Sequence, residues 1–281
     1  NPPAAEEGVS MFHPSDPIGI LDSGIGGFSV VRQVQRTLPG EELVYFGDGA
    51  HIPYGNHPED KIVAMARYMF RFMEDHHVKA LLVACNTISC VIGQCEGEAS
   101  CPTFNAVQAG AEAAARLSVD KIGVISTVFT HNSRCYPEGI LARSPKKLVV
   151  LSCGCPDLAR LVEHNLGDPA GMAEVEADLR LEMDGIVREG TQCCVLGCTH
   201  YPLVADSIRR LYPGLPLIDP AEEMARALKE YLEGEGLLAS DDRLGGLTIY
   251  TTGDVKEYAL RARQVGLERI GSVSFYPPMA L

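Results

Sequence analysis

The stretch Ile18-Gly-Ile-Leu-Asp-Ser-Gly-Ile-Gly-Gly27 joins an apolar run to a carboxylate, a hydroxyl and a glycine-rich loop. Residues 18–21 are apolar without alternation, which is typical of a strand buried on both faces of a parallel sheet. The glycines that follow let the backbone approach a ligand closely, and their N–H groups could hold a carboxylate. This stretch therefore predicts a buried strand that ends at a ligand site.

Similar apolar runs alternate with helix-like stretches along most of the chain. The alternation predicts an α/β fold with mainly parallel sheets and right-handed crossovers, because parallel strands need a crossover connection. The predicted strands are 18–21, 43–46, 80–84, 122–125, 148–151, 193–196 and 247–251. The predicted helices are 58–77, 108–117, 131–143, 170–189, 202–211, 221–232 and 255–265.

The composition argues against several classes of protein. With 24 basic and 37 acidic residues, the net charge of −13 does not fit a nucleic-acid-binding surface, which needs a basic footprint. No stretch approaches the roughly 18 apolar residues that a membrane-spanning helix needs. Residues 1–16 carry three prolines and lack the basic start and apolar centre of a secretory signal. We therefore expect a flexible N-terminal tail and a cytoplasmic enzyme.

Ten cysteines are many for such a chain. A disulfide scaffold is not expected at this length without a sign of secretion. Four cysteines lie between residues 85 and 101, but their spacing is neither that of zinc fingers nor that of ferredoxins. Cys153-Gly-Cys155 and Cys193-Cys194 lie in or beside apolar strands and fit the packing of small hydrophobic side chains. We therefore expect no metal site.

The glycine loop also resembles a dinucleotide-binding fingerprint. Gly24-x-Gly26-x-x-Ser29 nearly matches G-x-G-x-x-G/A, and Asp48 lies about the right distance downstream. Against this, Asp22 would place a carboxylate beside a bound pyrophosphate and repel it. The sequence contains no P-loop motif. A nucleotide site thus stays an alternative that the residues themselves do not favour.

Two cysteines follow predicted strands and have polar neighbours. In Ala84-Cys-Asn-Thr87, the helix that should follow would lower the pKa of Cys85, whereas the alternative is a buried cysteine with an Asn/Thr helix cap. In Gly197-Cys-Thr-His-Tyr-Pro202, Cys198 lies two residues before His200. That spacing suits a thiol with a proton partner, although a protease-like nucleophile or half a metal site would give the same pattern.

The doubled cysteine motif favours proton transfer over hydrolysis. Inverting an α-carbon needs a base on one face and an acid on the other, and a thiol suits both roles because its pKa can be tuned near neutrality. A hydrolase would need one nucleophile and an oxyanion hole instead. The motifs therefore predict symmetrical proton transfer at the carboxyl ends of two strands.

These motifs together resemble glutamate racemase, within the aspartate/glutamate racemase superfamily, over roughly residues 17–276 in colinear order. The motifs that carry the resemblance are Ile20–Gly27, Tyr45–Asp48, Pro53–Gly55, Val83–Thr87, Pro156–Glu163, Leu196–Leu203 and Tyr250–Asp254. The resemblance implies interconversion of L- and D-glutamate without pyridoxal phosphate, metal or nucleotide. It also implies a supply of D-glutamate for peptidoglycan synthesis, and hence a role in cell-wall biogenesis and cell shape.

The resemblance implies roles for individual residues as well. Cys85 would take the α-proton from D-glutamate with the assistance of Asp22. Cys198 would take it from L-glutamate with the assistance of His200. Two acidic positions, Asp48 and Glu163, would support catalysis, and the substrate-contacting positions would be Asp22, Ser23, Pro53, Tyr54, Gly55, Asn86, Thr87, Thr127, Thr130 and Thr199.

Two α/β domains that face each other across a cleft are also implied. We expect the first domain in residues 17–107 and 219–281, which carry Cys85, and the second in residues 108–218, which carry Cys198. The expected partner is a small-molecule substrate, glutamate, with no nucleic acid and no membrane. The family further implies a homodimer.

Some positions depart from the family's pattern. Ser126-Thr-Val-Phe-Thr130 replaces the usual Gly-Thr-x-Ala-Thr, and the bulk of Phe129 makes contacts from Thr127 and Thr130 less secure. An aspartate racemase, or another acidic amino-acid racemase of the superfamily, is therefore the alternative. A ligand-binding protein without catalysis is disfavoured because both cysteines and His200 are present. Only the cysteine count favours a metal-binding redox protein.

Overall fold

The computed structural model describes residues 11–95, 97–240 and 242–280. Its strands are β1 (Ile18–Asp22), β2 (Leu43–Gly47), β3 (Ala80–Val83), β4 (Thr103–Asn105), β5 (Lys121–Ser126), β6 (Val149–Gly154), β7 (Cys193–Gly197), β8 (Leu217–Ile218), β9 (Leu247–Thr251) and β10 (Ile270–Phe275). Its α-helices are α1 (Phe28–Thr37), α2 (Glu59–Asp75), α3 (Asn86–Cys90), α4 (Ala106–Ala115), α5 (Val128–Asn132), α6 (Cys135–Arg143), α7 (Leu158–Asn165), α8 (Met172–Arg188), α9 (Ala205–Leu211), α10 (Pro220–Gly234) and α11 (Val255–Val265).

The strands form two sheets in which neighbouring strands run parallel. The first sheet has the order β10-β9-β2-β1-β3-β4, and the second has the order β6-β5-β7-β8. The chain passes from the first sheet to the second through α4 and returns through α10, and these two helices pack on each other. The predicted α/β class with mainly parallel sheets is confirmed, while the predicted domain boundaries stay a prediction.

The central strands are buried because their sequences are apolar on both faces. All residues of β1, β2, β3 and β7 are buried, as the unbroken apolar runs predicted. Parallel strands place their carboxyl ends at one edge of a sheet, so the polar residues that follow β1, β3 and β7 stand at such edges. Among the described residues, no helix is long and apolar enough to span a membrane.

Two predicted helices differ from the observed ones. The helix predicted over 131–143 is broken into α5 and α6 at Arg134, whose φ of 58° is left-handed and cannot continue a helix. The helix predicted over 202–211 begins as a 3₁₀ turn over Tyr201–Val204 and becomes α-helical only at α9. Short elements such as α3, α7, β4 and β8 were not predicted, because their periodic patterns are too brief to detect.

The N-terminal boundary of the folded part lies earlier than predicted. Residues 1–10 of the expected tail lie outside the described residues. The expectation of a loose segment up to Asp16 is wrong for its last part, because Phe12 packs against the hydrophobic core and the Pro14 carbonyl accepts a hydrogen bond from Lys79. The apolar side chain and this buried donor attach the segment to the first sheet.

A fully buried ion pair links this segment to the rest of the first sheet. Lys79 Nζ lies 2.6 Å from Glu41 Oε2 and donates to the carbonyls of Pro14 (2.6 Å) and Leu237 (2.8 Å). The Ala239 N–H donates to the other oxygen of Glu41 at 2.8 Å. A single ammonium group thus connects three separate parts of the chain to the start of β3.

Replacing Lys79 by methionine would leave the Glu41 carboxylate buried without its cation. Because breaking a buried pair from one side is costly, we expect the free energy of unfolding to fall by about 3–5 kcal/mol. Urea denaturation followed by circular dichroism measures this loss. The control is Lys229→Met, which removes an exposed pair with Glu233 and should cost about 0.5 kcal/mol or less. Equal losses in the two variants would contradict the assigned importance of the buried pair.

Candidate active site

A cavity of about 420 Å³ lies where the carboxyl ends of the two sheets meet. It is lined by residues that follow β1, β2, β3 and β9 of the first sheet and β5, β6 and β7 of the second. The sequence-predicted residues in its wall are Ser23, Pro53, Tyr54, Gly55, Cys85, Asn86, Thr87, Thr127, Glu163, Cys198, Thr199 and His200. Asp22, Asp48 and Thr130 were also predicted for the site but stand behind the wall.

Cys85 occupies the turn between β3 and α3. Its Sγ donates to Ser23 Oγ at 3.6 Å, and its side chain is almost fully buried. Burial, followed by the charge of Asp22, raises the pKa of the Cys85 thiol to about 12. The expectation that the following helix would lower this pKa is wrong, because α3 is short and burial outweighs its N–H groups. The raised pKa therefore favours the thiol form of Cys85.

Cys198 follows β7 and belongs to a chain of three polar groups. Its Sγ lies 3.7 Å from Nδ1 of His200, and Nε2 of the same ring lies 2.7 Å from Glu163 Oε2. Burial alone would lower the pKa of His200, but the hydrogen bonds to Cys198 and Glu163 outweigh it and hold this pKa well above its ordinary value. Burial would likewise raise the pKa of Glu163, and the hydrogen bond from His200 reverses this effect. These hydrogen bonds therefore favour the protonated form of the ring, paired with the Glu163 carboxylate.

Asp22 ends β1 and is enclosed by the glycine loop. Its Oδ2 accepts the N–H of Gly27 at 2.8 Å and that of Gly24 at 3.4 Å. These N–H groups therefore bind the protein's own carboxylate, and the expectation that they face a substrate carboxylate is wrong. Thr199 Oγ1 lies 3.4 Å from both oxygens of Asp22 and separates it from the cavity. Burial raises the pKa of Asp22 to about 6, with the nearby His200 acting in the opposite direction.

Asp48 supports the cavity wall without lining it. Its carboxylate accepts hydrogen bonds from Tyr54 Oη (2.6 Å) and Thr252 Oγ1 (2.6 Å), and His51 Nδ1 lies 2.8 Å away. Tyr54 and Gly55 form the adjoining wall. Asp48 therefore holds the Tyr54 hydroxyl behind the wall.

Phe129 is the residue that departs from the family's pattern, and Thr127 and Thr130 beside it were both predicted to contact the substrate. One of these two threonines lies in the cavity wall. Thr127 lines the cavity and its Oγ1 lies 3.4 Å from Thr87 Oγ1, while Thr130 is buried behind it and bonded to it at 3.1 Å. Phe129 packs against the core cluster of the first sheet that contains Tyr54. The large ring thus fills the contact between the sheets rather than the cavity.

Sequence reasoning missed five residues of the wall: Ile52, Ala159, Arg160, His164 and Glu257. Arg160 and His164 share α7 with Glu163, so helical spacing from that glutamate could have indicated both of them. Arg160 is mostly exposed and forms an ion pair with Asp157 at 3.0 Å. Glu257 follows the Tyr250–Asp254 motif by one helical turn, and no sequence signal marked it.

Comparison with known proteins decides the family. The family described as Asp/Glu/Hydantoin racemase matches residues 18–228. This chain belongs to it. Glutamate racemase from Thermus thermophilus is 37% identical over 265 residues, which are 94% of this chain and 97% of that protein.

Solved structures of this racemase family share the whole fold. A glutamate racemase isoform from Bacillus anthracis has a TM-score of 0.85 and 32% identity, covering 95% of this chain and 98% of that one. The glutamate racemase from Francisella tularensis, in complex with D-glutamate, has a TM-score of 0.83 and 28% identity at the same coverages. The fold of this racemase, with its two parallel sheets, is therefore that of glutamate racemases.

In this racemase the buried Asp22 should make stability depend on pH. Its pKa is raised from 3.8 to about 6, so protonation of Asp22 favours the folded state. The stabilisation is complete below pH 3.8 and is lost as the pH rises through about 6, by about 3 kcal/mol in total. The amide in Asp22→Asn cannot ionise, so the free energy of unfolding of this variant should not show this loss. Urea denaturation at pH 4 to 7 measures the difference between wild type and variant, and a constant difference would contradict the assigned pKa.

Proposed function

We propose that this chain interconverts L- and D-glutamate without a cofactor, by moving the α-proton between Cys85 and Cys198. The observation that carries the proposal is that both thiols line one cavity and have different polar partners. Ser23 lies beside Cys85, and His200 lies beside Cys198. An amino acid between them would have one sulfur on each face of its α-carbon, which is the arrangement that inversion requires.

The reaction proceeds in two proton transfers. One cysteine, as thiolate, removes the α-hydrogen, and the electron pair stays on the α-carbon next to the carboxylate. The other cysteine, as thiol, then donates its proton to the opposite face. Cys85 is the base for D-glutamate and Cys198 is the base for L-glutamate. The thiol form of Cys85 in the free protein is already the donor that conversion of L- to D-glutamate needs.

The groups behind the cysteines differ, and so do their roles. His200 stands beside Cys198, where the charge of its protonated ring stabilises the thiolate that the reaction requires, and Glu163 orients the ring through its Nε2. Asp22 acts on Cys85 through its charge and through the loop that carries Ser23. Asp48 positions Tyr54. We assign catalytic proton transfer to the cysteines, electrostatic assistance of Cys198 to His200, and positioning roles to Glu163, Asp22 and Asp48.

Neutral hydrogen-bond donors in the wall make most of the contacts that bind the substrate. The hydroxyls of Ser23, Thr87, Thr127 and Thr199 and the amide of Asn86 surround the space between the sulfurs. Asn86 is held by the hydroxyl of Tyr136, which donates to its Oδ1 at 2.6 Å and leaves its NH₂ group free to face a carboxylate. Arg160 adds an exposed cation to the cavity wall.

We infer glutamate rather than aspartate as the substrate, since similar proteins at 32–37% identity are named glutamate racemases. Its D-enantiomer is a building block of peptidoglycan, so the activity serves cell-wall biogenesis and cell shape. We further propose that the protein is cytoplasmic and a homodimer. We also propose that residues 17–107 with 219–281 form one domain and residues 108–218 the other.

Circular dichroism of the substrate tests the function directly. Purified protein without added cofactor should convert either enantiomer of glutamate to the racemate, and should convert aspartate at least about tenfold more slowly. Dialysis against a chelator should not abolish turnover, because no metal takes part in the proton transfer. Faster turnover of aspartate would make the chain an aspartate racemase, and turnover of neither would overturn the proposal.

Single replacement of either cysteine should abolish racemisation in both directions, because each turnover uses one thiol as base and the other as acid. A substrate analogue that loses a leaving group after α-proton abstraction needs only one base. Cys85→Ser should therefore retain elimination from the L-analogue and lose it from the D-analogue, while Cys198→Ser should show the reverse. Residual rates should be small, because a hydroxyl is far less acidic than a thiol. Equal loss for both analogues in both variants would contradict the two-base assignment.

A further inference from the structure

A second group of reactive side chains lies in the second sheet, outside the cavity wall. Cys153, Cys155 and Glu182 each present one ligand atom, and the three atoms lie within 4.8 Å of one another. The Cys153 thiol donates to Glu182 Oε2 at 3.2 Å. The proposed racemisation uses none of these three residues. We call them the Cys153 cluster.

The backbone of β6 brings the two thiols together. Side chains two positions apart on a strand point to the same side, and the Cys155 N–H continues the strand's pairing by donating to the Ser126 carbonyl at 2.7 Å. Ser152 points to the other side, where its Oγ lies 2.8 Å from His131 Nδ1. Helix α8 packs against β6 on the cysteine side and supplies Glu182. The cluster is therefore built from regular elements, not from a loop.

Two further oxygens beside the cluster lack hydrogen-bond partners in the described part of the chain. Asp178 lies one helical turn before Glu182, and its buried Oδ2 has no partner. The hydroxyl of Tyr201 is fully buried, interacts with the Cys155 thiol and finds no oxygen or nitrogen partner among the described residues. Buried polar groups are normally satisfied, so these two unpartnered oxygens mark a polar site beside the two thiols.

We propose that the Cys153 cluster binds one thiophilic divalent cation of the Zn²⁺ type, through Cys153, Cys155 and Glu182. Two thiolates at about 2.3 Å and a carboxylate at about 2.0 Å from Zn²⁺ would stand roughly 3.5–3.8 Å apart, inside the observed spread of the ligand atoms. Sulfur ligands exclude Mg²⁺ and Ca²⁺, which prefer oxygen. Water completes the tetrahedron.

Binding at this cluster exchanges protons for metal without any redox change. Two S–H bonds break, two Zn–S bonds form, and two protons leave to solvent. The bound cation joins the end of β6 to α8. The end of β6 leads directly into α7, which carries Glu163, and the cation also lies beside Tyr201, which follows His200. The metal therefore fixes the scaffold under one wall of the cavity and takes no part in the proton transfer at the α-carbon.

The test uses the full-length chain with Cys85→Ser and Cys198→Ser, so that the cavity thiols cannot bind the probe. Co²⁺ should give the near-ultraviolet absorption of thiolate-to-cobalt charge transfer, and Zn²⁺ titrated against a chromophoric chelator should bind at one equivalent per chain. Cys153→Ser should abolish the absorption, and Glu182→Gln should weaken Zn²⁺ binding by about tenfold or more. Glu182 is partly exposed, so this second variant keeps the test valid if Cys153→Ser does not fold.

Cys135→Ser is the matched control. Cys135 is half-buried like Cys153, and its thiol interacts with that of Cys90 in a separate part of the fold. This variant should bind Zn²⁺ as its parent does. Loss of the cobalt absorption in Cys135→Ser, undiminished binding in both cluster variants, or no bound metal in the parent chain would each overturn the proposal. Racemisation by the chain with its native cysteines is measured separately, so these outcomes leave the proposed function untouched.

Discussion

The structure depends on one close contact between the sheets, in which the glycine loop after β1 meets the Cys198-Thr-His segment after β7. Gly26 is required here, because a Cβ at this position would lie 2.3 Å from Thr199 Oγ1 and 2.7 Å from His200 Nδ1. Ser29 Oγ donates to the Thr199 carbonyl, and Thr199 Oγ1 reaches the Asp22 carboxylate. These contacts hold the carboxyl ends of β1 and β7 against each other, so the cavity and its two thiols form where the two sheets meet.

The two sides of the cavity are chemically unequal. Around Cys85 there are a hydroxyl and a buried carboxylate, and burial keeps the sulfur protonated. Around Cys198 there is an imidazolium that is held by Glu163. A symmetrical exchange of the α-proton is thus carried out by thiols with different supports. Under the proposed function, substitutions on the two sides should therefore affect α-proton abstraction from the two enantiomers differently.

Long apolar strands and the polar residues at their ends were predictable from the sequence, because burial in a parallel sheet leaves an unbroken apolar run. This is why Cys85 and Cys198 could be placed at strand ends. What could not be predicted depends on contacts between distant residues. Thr199 covers Asp22, the Asp22 carboxylate occupies the loop's own N–H groups, and burial overrides the helix next to Cys85. The left-handed break at Arg134 was also not detectable, because arginine carries no turn signal.

The central claim is that two bases act on opposite faces of the α-carbon. It is tested most directly by following each enantiomer of glutamate in D₂O during the first few per cent of conversion, with mass spectrometry of the separated enantiomers. The account predicts that the newly formed enantiomer carries deuterium at the α-carbon while the remaining substrate keeps its hydrogen. This is expected because the proton is taken by one sulfur and the deuteron is delivered by the other. Deuterium appearing in the unconverted substrate as fast as in the product would contradict it and indicate a single base.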